Sequence, residues 1–369
     1  MMNKKILGQI IIIIGSILFF SQGCKTDNND PDPEPVTVTD IYISGHIANA
    51  SGVSFPCYWK NGLRTDLSKI DPAKPGVGWS IKVSGSDVYV AGFTRNNVNV
   101  DMACYWKNGQ RTDLSKIDPT RAGLSSSIFV LGNDVYVCGY TNSSASLPIP
   151  CYWANGQRVD LNRIDPTKGG SAFSIVVSEN MVYVAGGTGH SINRGFPCYW
   201  KNGQRTDLSK ISDSQDGWAY SLFLSGTDIY VAGLTEKSFG ISVPCYWING
   251  QRIDLNFLDL AKAGECRSIF VLNNVVYATG TTINSADVLV PCYWENGLRT
   301  DLSVLDPAKN GQGTDLFVVG SDIYVSGYST DSANVSIPCC WKNGQRTDLG
   351  ETGFGKGLAL SLAVTVTQN

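Results

Sequence analysis

Apolar and polar positions along this chain fall into short blocks bounded by turn residues, and the blocks recur. One set runs Ser80-Ile81-Lys82-Val83, a Gly-Ser turn, Val88-Tyr89-Val90-Ala91, a segment carrying Cys104-Tyr105-Trp106, then Arg111-Thr112-Asp113-Leu114. Segments this short, rich in β-branched and aromatic residues, predict strands, here labelled a, b, c and d. Gly-Ser, Gly-Asn or Gly-Thr joins a to b in four units, and Asn-Gly joins c to d in all seven, so two tight hairpins are predicted per unit. Strands a and b are apolar on both faces, so each small sheet must be covered on both sides.

The recurrence is strict. The cysteine before Tyr-Trp stands at Cys57, Cys104, Cys151, Cys198, Cys245 and Cys292, Cys339 keeps the frame as Cys-Cys-Trp, and every step is 47 residues. Tyr42, Tyr89, Tyr136, Tyr183, Tyr230, Tyr277 and Tyr324 keep the same period. A fixed period of this length means a solenoid, a propeller or an array. The phase decides among them: the first strand b, around Tyr42, has no strand a before it, and Leu360 to Val366 is a strand a with no b after it. An open stack would leave an unpaired edge at each end, whereas a ring joins the two leftovers. The reading is an all-β, seven-bladed β-propeller over residues 40–369, with four strands per blade and the C-terminal strand pairing with the N-terminal blade.

Composition agrees and narrows the function. The 369 residues are 43% hydrophobic and 17% charged, with 39 glycines, 16 tyrosines and a formal net charge of −3. That is a globular chain with no basic excess to attract nucleic acid. Only two histidines, His46 and His190, are present, on different blades, which argues against a histidine-rich metal centre and a Ser-His-Asp triad. No cofactor-binding motif stands out.

Ahead of the repeats, Lys4 and Lys5 precede an apolar run from Ile6 to Phe20 and then Ser21-Gln22-Gly23-Cys24. The run is too short for a membrane-spanning helix and reads as a secretory leader, residues 1–23. Gly23-Cys24 resembles the lipobox of bacterial lipoproteins, which implies acylation at Cys24, although Phe20 and Ser21 depart from the usual upstream pattern. Residues 24–39 form an acidic, proline-rich tether: Lys25 to Pro35 holds four acidic residues and three prolines and cannot bury a core. Acidic residues after the acylated cysteine are similar to the surface-export signals of Bacteroidetes lipoproteins. The implied location is the bacterial outer membrane, lipid-anchored and surface-exposed, with a periplasm-facing orientation as the alternative.

The Trp-x-Asn-Gly-x-x-x-Asp-Leu core, as in Trp106 to Leu114, resembles the HAF-type bacterial extracellular repeat. Cys-Tyr before the tryptophan and the Asp-x-Tyr-Val-x-Gly strand are departures from it. The fold itself implies no activity, because propellers host many.

Features repeated in every blade point to packing rather than to a site. An Asn-Gly two-residue turn sets Trp59 opposite Arg64 and Cys57 opposite Asp66, predicting seven Trp/Arg pairs in stacking reach. The seven aspartates read as structural acceptors. The in-register cysteines lie on sheets about 10 Å apart, beyond disulfide reach, and read as buried free thiols. Cys138, Cys266 and Cys340 break the repeat, and a Cys138–Cys151 disulfide is the one bridge to test. Asp213 to Gly217 faintly resembles a calcium loop but lacks the closing glutamate and reads as a plain turn.

Function belongs where the repeat varies. The b-to-c loops differ in every blade and share a face with the d-to-a connections. The residue before strand a reads Trp79, Ser126, Phe173, Tyr220, Arg267, Thr314 and Leu360 around the ring. With strand a innermost, these surround the channel mouth, and Trp79, Phe173, Tyr220 and Arg267, with Trp218 beside them, are the candidate ligand-binding residues. The alternative is that they only plug the channel. Two functions follow: a non-catalytic, lipid-anchored surface binding or scaffold propeller for a glycan or peptide, or an enzyme acting on polysaccharide or another envelope polymer, which would need two carboxylates about 5–10 Å apart at the mouth.

The leader reading has a direct test. Cys24→Ala should abolish acyl labelling and release the protein from the membrane fraction; retention in membranes without acyl label would sink it.

Overall fold

The computed structural model describes residues 37–189, 195–350 and 356–368. Cys24, the leader, all but the last residues of the tether, and His190 lie outside them. The described chain forms seven four-stranded antiparallel sheets arranged as a ring of blades. In blade 2, β4 (Gly76–Ser84), β5 (Asp87–Arg95), β6 (Asp101–Lys107) and β7 (Gln110–Asp113) follow one another from the channel outward. Blade 1 is assembled from both ends: β28 (Gly357–Gln368) pairs with β1 (Thr37–Ala48), which pairs with β2 (Ser54–Lys60), which pairs with β3 (Leu63–Asp66). The ring is therefore closed by the C-terminal strand, as the phase offset predicts. β1 begins at Thr37, inside the span read as tether.

The outer hairpins are two-residue turns with Asn and Gly both at positive φ, 50° at Asn61 and 83° at Gly62. This is the type I′ geometry that suits the strand twist. The asparagine does more than turn. Asn108 accepts from the Val88 amide through Oδ1 (2.9 Å) and donates through Nδ2 to Asp87 (2.8 Å), clipping the outer hairpin to the start of strand b. Asn61 with Asp40, Asn155 with Asp134, Asn249 with Asp228 and Asn343 with Asp322 repeat the clip.

The core is seven separate layers, one between each pair of neighbouring blades. Every layer is centred on a strand-c tryptophan with no exposed surface. Its indole N–H donates to a carbonyl at the end of strand d in the preceding blade: Trp106 to Ser68, Trp153 to Ser115 and Trp200 to Asn162, each at 2.8 Å. Trp247, Trp294 and Trp341 do the same. Register sets Trp59 against Arg64 as predicted, but the guanidinium turns along its own strand to Asp66 (2.9 Å) instead of stacking. The same Arg–Asp pair closes strand d in all seven blades. These aspartates are about half exposed, so each pair contributes at most about 1 kcal/mol.

All ten described cysteines are free and buried. Cys138 pairs in register with Tyr152 while Cys151 opposes Gly139, so the two thiols point to opposite faces and join different core layers. The Cys138–Cys151 bridge is not formed.

Strand a is longer than its apolar stretch suggests. β4 extends back to Gly76, and its ladder to β5 slips between Gly78 and Ser80, so Trp79 is the extra residue of a β-bulge. The opposite residue, Gly92, explains the glycine of the strand-b motif: a Cβ there would lie 1.9 Å from the Val77 carbonyl oxygen. The clash recurs at Gly45, Gly139, Gly186, Gly233, Gly280 and Gly327, so every blade carries the bulge and the glycine that permits it.

The closing seam differs from the other joints. The Trp59 N–H is buried with no partner among the described residues, and Gly350 stands where other blades have a serine or asparagine reaching to the next turn. What joins the two ends of the chain is the β28–β1 ladder within blade 1. Deleting Leu358 to Asn369 should abolish the cooperative thermal transition; an unaltered melting curve would count decisively against closure by this strand.

His46, in β1 opposite Leu358, is mostly buried, and its Nδ1 has no partner among the described residues. Burial pushes its imidazole from 6.5 down to about 4, so the folded state holds it neutral. A depressed imidazole pKa gives stability that is complete above 6.5 and is lost as pH falls toward 4. His46→Phe, which matches Phe93 in the next blade, should flatten that part of the melting-temperature profile. Parallel profiles for the two proteins would refute the assignment.

Candidate functional site

The bulge turns the variable residue of each strand a into the channel mouth. Trp79, Ser126, Phe173, Tyr220, Arg267, Thr314 and Leu360 all line one cavity of about 420 Å³ on the loop face. The structure thus brings together the seven positions singled out in the sequence. Phe173 meets Tyr220 edge-on with centroids 5.5 Å apart, and the Arg267 guanidinium lies 4.7 Å from the Tyr220 ring centre. Trp79 stands apart from them and is exposed at 39%. Burial pushes the Tyr220 hydroxyl up to about 12, keeping it a neutral donor.

Trp218 does not line this cavity. It stands two positions before the bulge residue Tyr220, packs edge-on against Phe173 at 6.1 Å, and covers Gly187 and Gly195, where a Cβ would come within 2.7 Å of its ring. Its role is to back the aromatic wall.

Sequence reasoning misses the mouth's polar corner. Arg267 Nε pairs with Glu265 at 2.8 Å, and Gln312 Nε2 donates to the same carboxylate oxygen at 2.5 Å. Glu265 and Gln312 belong to a second variable series, two residues ahead of the first, which also supplies Leu124 and Leu358 to the cavity wall. That series, Val77, Leu124, Ser171, Trp218, Glu265, Gln312 and Leu358, is as irregular as the first and was available as a signal. Tyr140, from strand b, completes the wall.

A second, larger space of about 860 Å³ lies in the channel toward the a–b hairpins. Its upper rim is polar. Ser80 Oγ accepts from the Ile128 amide of the next blade (3.3 Å), and Ser127, Ser174, Ser221 and Ser361 accept likewise at 3.1–3.4 Å. Blade 7 has Asp315 in this position, and its carboxylate accepts from Ser268 Oγ (2.6 Å), Ser361 Oγ (2.8 Å), the Leu316 amide (2.9 Å) and the Leu362 amide (3.0 Å). Burial raises the Asp315 pKa, while these donors act to lower it. Two residues further along strand a comes an apolar tier of Phe129, Val176, Phe223, Phe270, Phe317 and Ala363, interrupted by Lys82. Phe223, Phe270 and Phe317 pack in series with centroids 4.8 Å apart.

The Asp213 to Gly217 turn is occupied by a side chain. Lys210 Nζ donates to the carbonyls of Asp213 (3.1 Å) and Gln215 (2.7 Å), taking the oxygens a cation would use. Among the described residues no cluster of three or more His, Cys, Asp or Glu is placed to hold a metal ion.

No protein-family model and no curated protein sequence matches the chain. Among solved structures it is similar to the β-propeller domain of the Trilobed protease from Pyrococcus furiosus, at 11% identity and a TM-score of 0.50, over 86% of this chain and 97% of that one. It is also similar to the structure of YjhT, at 11% identity and a TM-score of 0.44, over 76% of this chain and 99% of that one. The Pyrococcus domain is described as having an open velcro topology, whereas here β28 pairs with β1. At such identity the likeness establishes the propeller fold alone.

Proposed function

We propose that this chain is a non-catalytic, lipid-anchored surface-binding propeller whose loop-face mouth seats a glycan. One observation carries the reading: a single cavity has an aromatic wall of Tyr140, Phe173 and Tyr220, an exposed Trp79, and a polar corner of Arg267 and Gln312, both held from outside the lining by Glu265. A sugar ring offers apolar C–H faces to aromatic rings and vicinal hydroxyls to planar donors and acceptors, and the mouth presents both kinds of group. The carboxylate of Glu265 is engaged by Arg267 and Gln312, and no carboxylate lines the cavity, which favours binding over glycoside cleavage by a carboxylate pair. The lipid anchor rests on the Gly23-Cys24 motif and would hold the ring near the membrane at the end of the acidic tether.

Trp79→Ala combined with Tyr220→Ala should abolish binding to the ligand found on a glycan array while leaving the melting temperature intact. Trp106→Ala is the control: it should lower stability by about 3–5 kcal/mol and affect binding only through unfolding. Binding to a peptide array and to no glycan would replace the ligand class, and normal binding by the double variant would refute the mouth assignment.

A further inference from the structure

The hairpin-side chamber has features that ring packing does not require. Six of the seven residues in its apolar tier are Phe129, Val176, Phe223, Phe270, Phe317 and Ala363, and the seventh is Lys82. The Lys82 ammonium lies 5.2 Å from the Phe129 ring centre, and among the described residues no carboxylate stands within ion-pair distance of it. Burial pushes its pKa down, and Asp315, whose charge acts to raise it, is too distant to pair. Desolvating an ammonium without a hydrogen-bonded anion is costly, and an aromatic face offsets only part of that cost.

Two other charges line the wall and constrain what would fit: Asp315, and Glu179, which is exposed in the a–b turn of blade 4 three residues beyond the apolar tier. A carboxylate has about four lone-pair positions, and Asp315 has four donors, two on each oxygen. It has no acceptor position left for the ammonium of a zwitterion, and its charge repels an anion from its own side of the chamber. The unused donors are on Lys82. At about 860 Å³ the space lies within the range of small-molecule sites.

We infer that the hairpin-side chamber is a second ligand site that takes a small aryl carboxylate, with the carboxylate on Lys82 and the aromatic body against Phe223, Phe270 and Phe317. The site opens on the opposite face from the mouth and is independent of the glycan reading. A simple ligand set tests it: 4-phenylbutyrate, its uncharged amide and zwitterionic phenylalanine, titrated calorimetrically into the full chain. The carboxylate should bind, and the amide and the amino acid should bind at least tenfold more weakly. Lys82→Met should weaken 4-phenylbutyrate tenfold or more, Lys82→Arg should restore most of the affinity, and Phe270→Ala should weaken it without changing the preference for the anion. The Trp79→Ala, Tyr220→Ala double variant should bind it as the parent does. No heat of binding at millimolar 4-phenylbutyrate, equal affinity for acid and amide, or loss of binding in the mouth variant would each overturn the inference. Should Lys82→Met fail to fold, the acid-to-amide ratio in the parent and in Phe270→Ala decides the question alone.

Discussion

Everything in this molecule depends on the tryptophan between blades. Each small sheet is apolar on both sides and has no stable existence by itself, so burial must come from its neighbours. The strand-c indole fills that boundary with no surface left exposed, and its N–H bonds the preceding blade wherever the repeat is complete. Direction matters: every blade leans on the one before it. A chain of such dependencies has no satisfactory end, and joining the last sheet to the first removes the problem.

The bulge in strand a converts this packing scheme into a channel with two chemistries. Slipping the ladder by one residue at Trp79 and its equivalents aims one variable side chain per blade into the mouth. It also leaves an inner amide that bonds the neighbouring blade's serine or aspartate instead of the ladder. The glycine opposite is the condition for both, since any side chain there would overlap the carbonyl across the ladder. Variation at the bulge therefore alters the mouth without disturbing the strand-b register.

The ring, the strand count and the closing pairing are legible in the sequence because period, phase and Asn-Gly turns are local or arithmetic signals. The mouth residues are legible because they break a strict repeat. The bulge is not, because an extra residue in one strand leaves the 47-residue spacing untouched, and without it one cannot tell which side of strand a faces the channel. Lys82 accordingly passes for an ordinary residue in an apolar strand until the structure places it in the channel beside a tier of apolar side chains. Trp218 is visible as an exception, but only the clearance over Gly187 and Gly195 shows that it backs the wall from outside the cavity. The Asn–Asp clip escapes notice for a different reason: both partners are conspicuous as turn residues, and their contact spans 21 positions.

Every one of the seven interblade layers contains at least one cysteine, and no two layers share one. In every layer burial pushes a thiol up, Cys151 and Cys198 to about 12, so the thiolate that alkylating reagents require is scarce while the ring is shut. Parting any two blades hydrates its own sulfur and restores ordinary reactivity. The protein thus carries an address label at each joint: the order in which the cysteines become reactive under mild denaturant is a map of where the circle first comes apart.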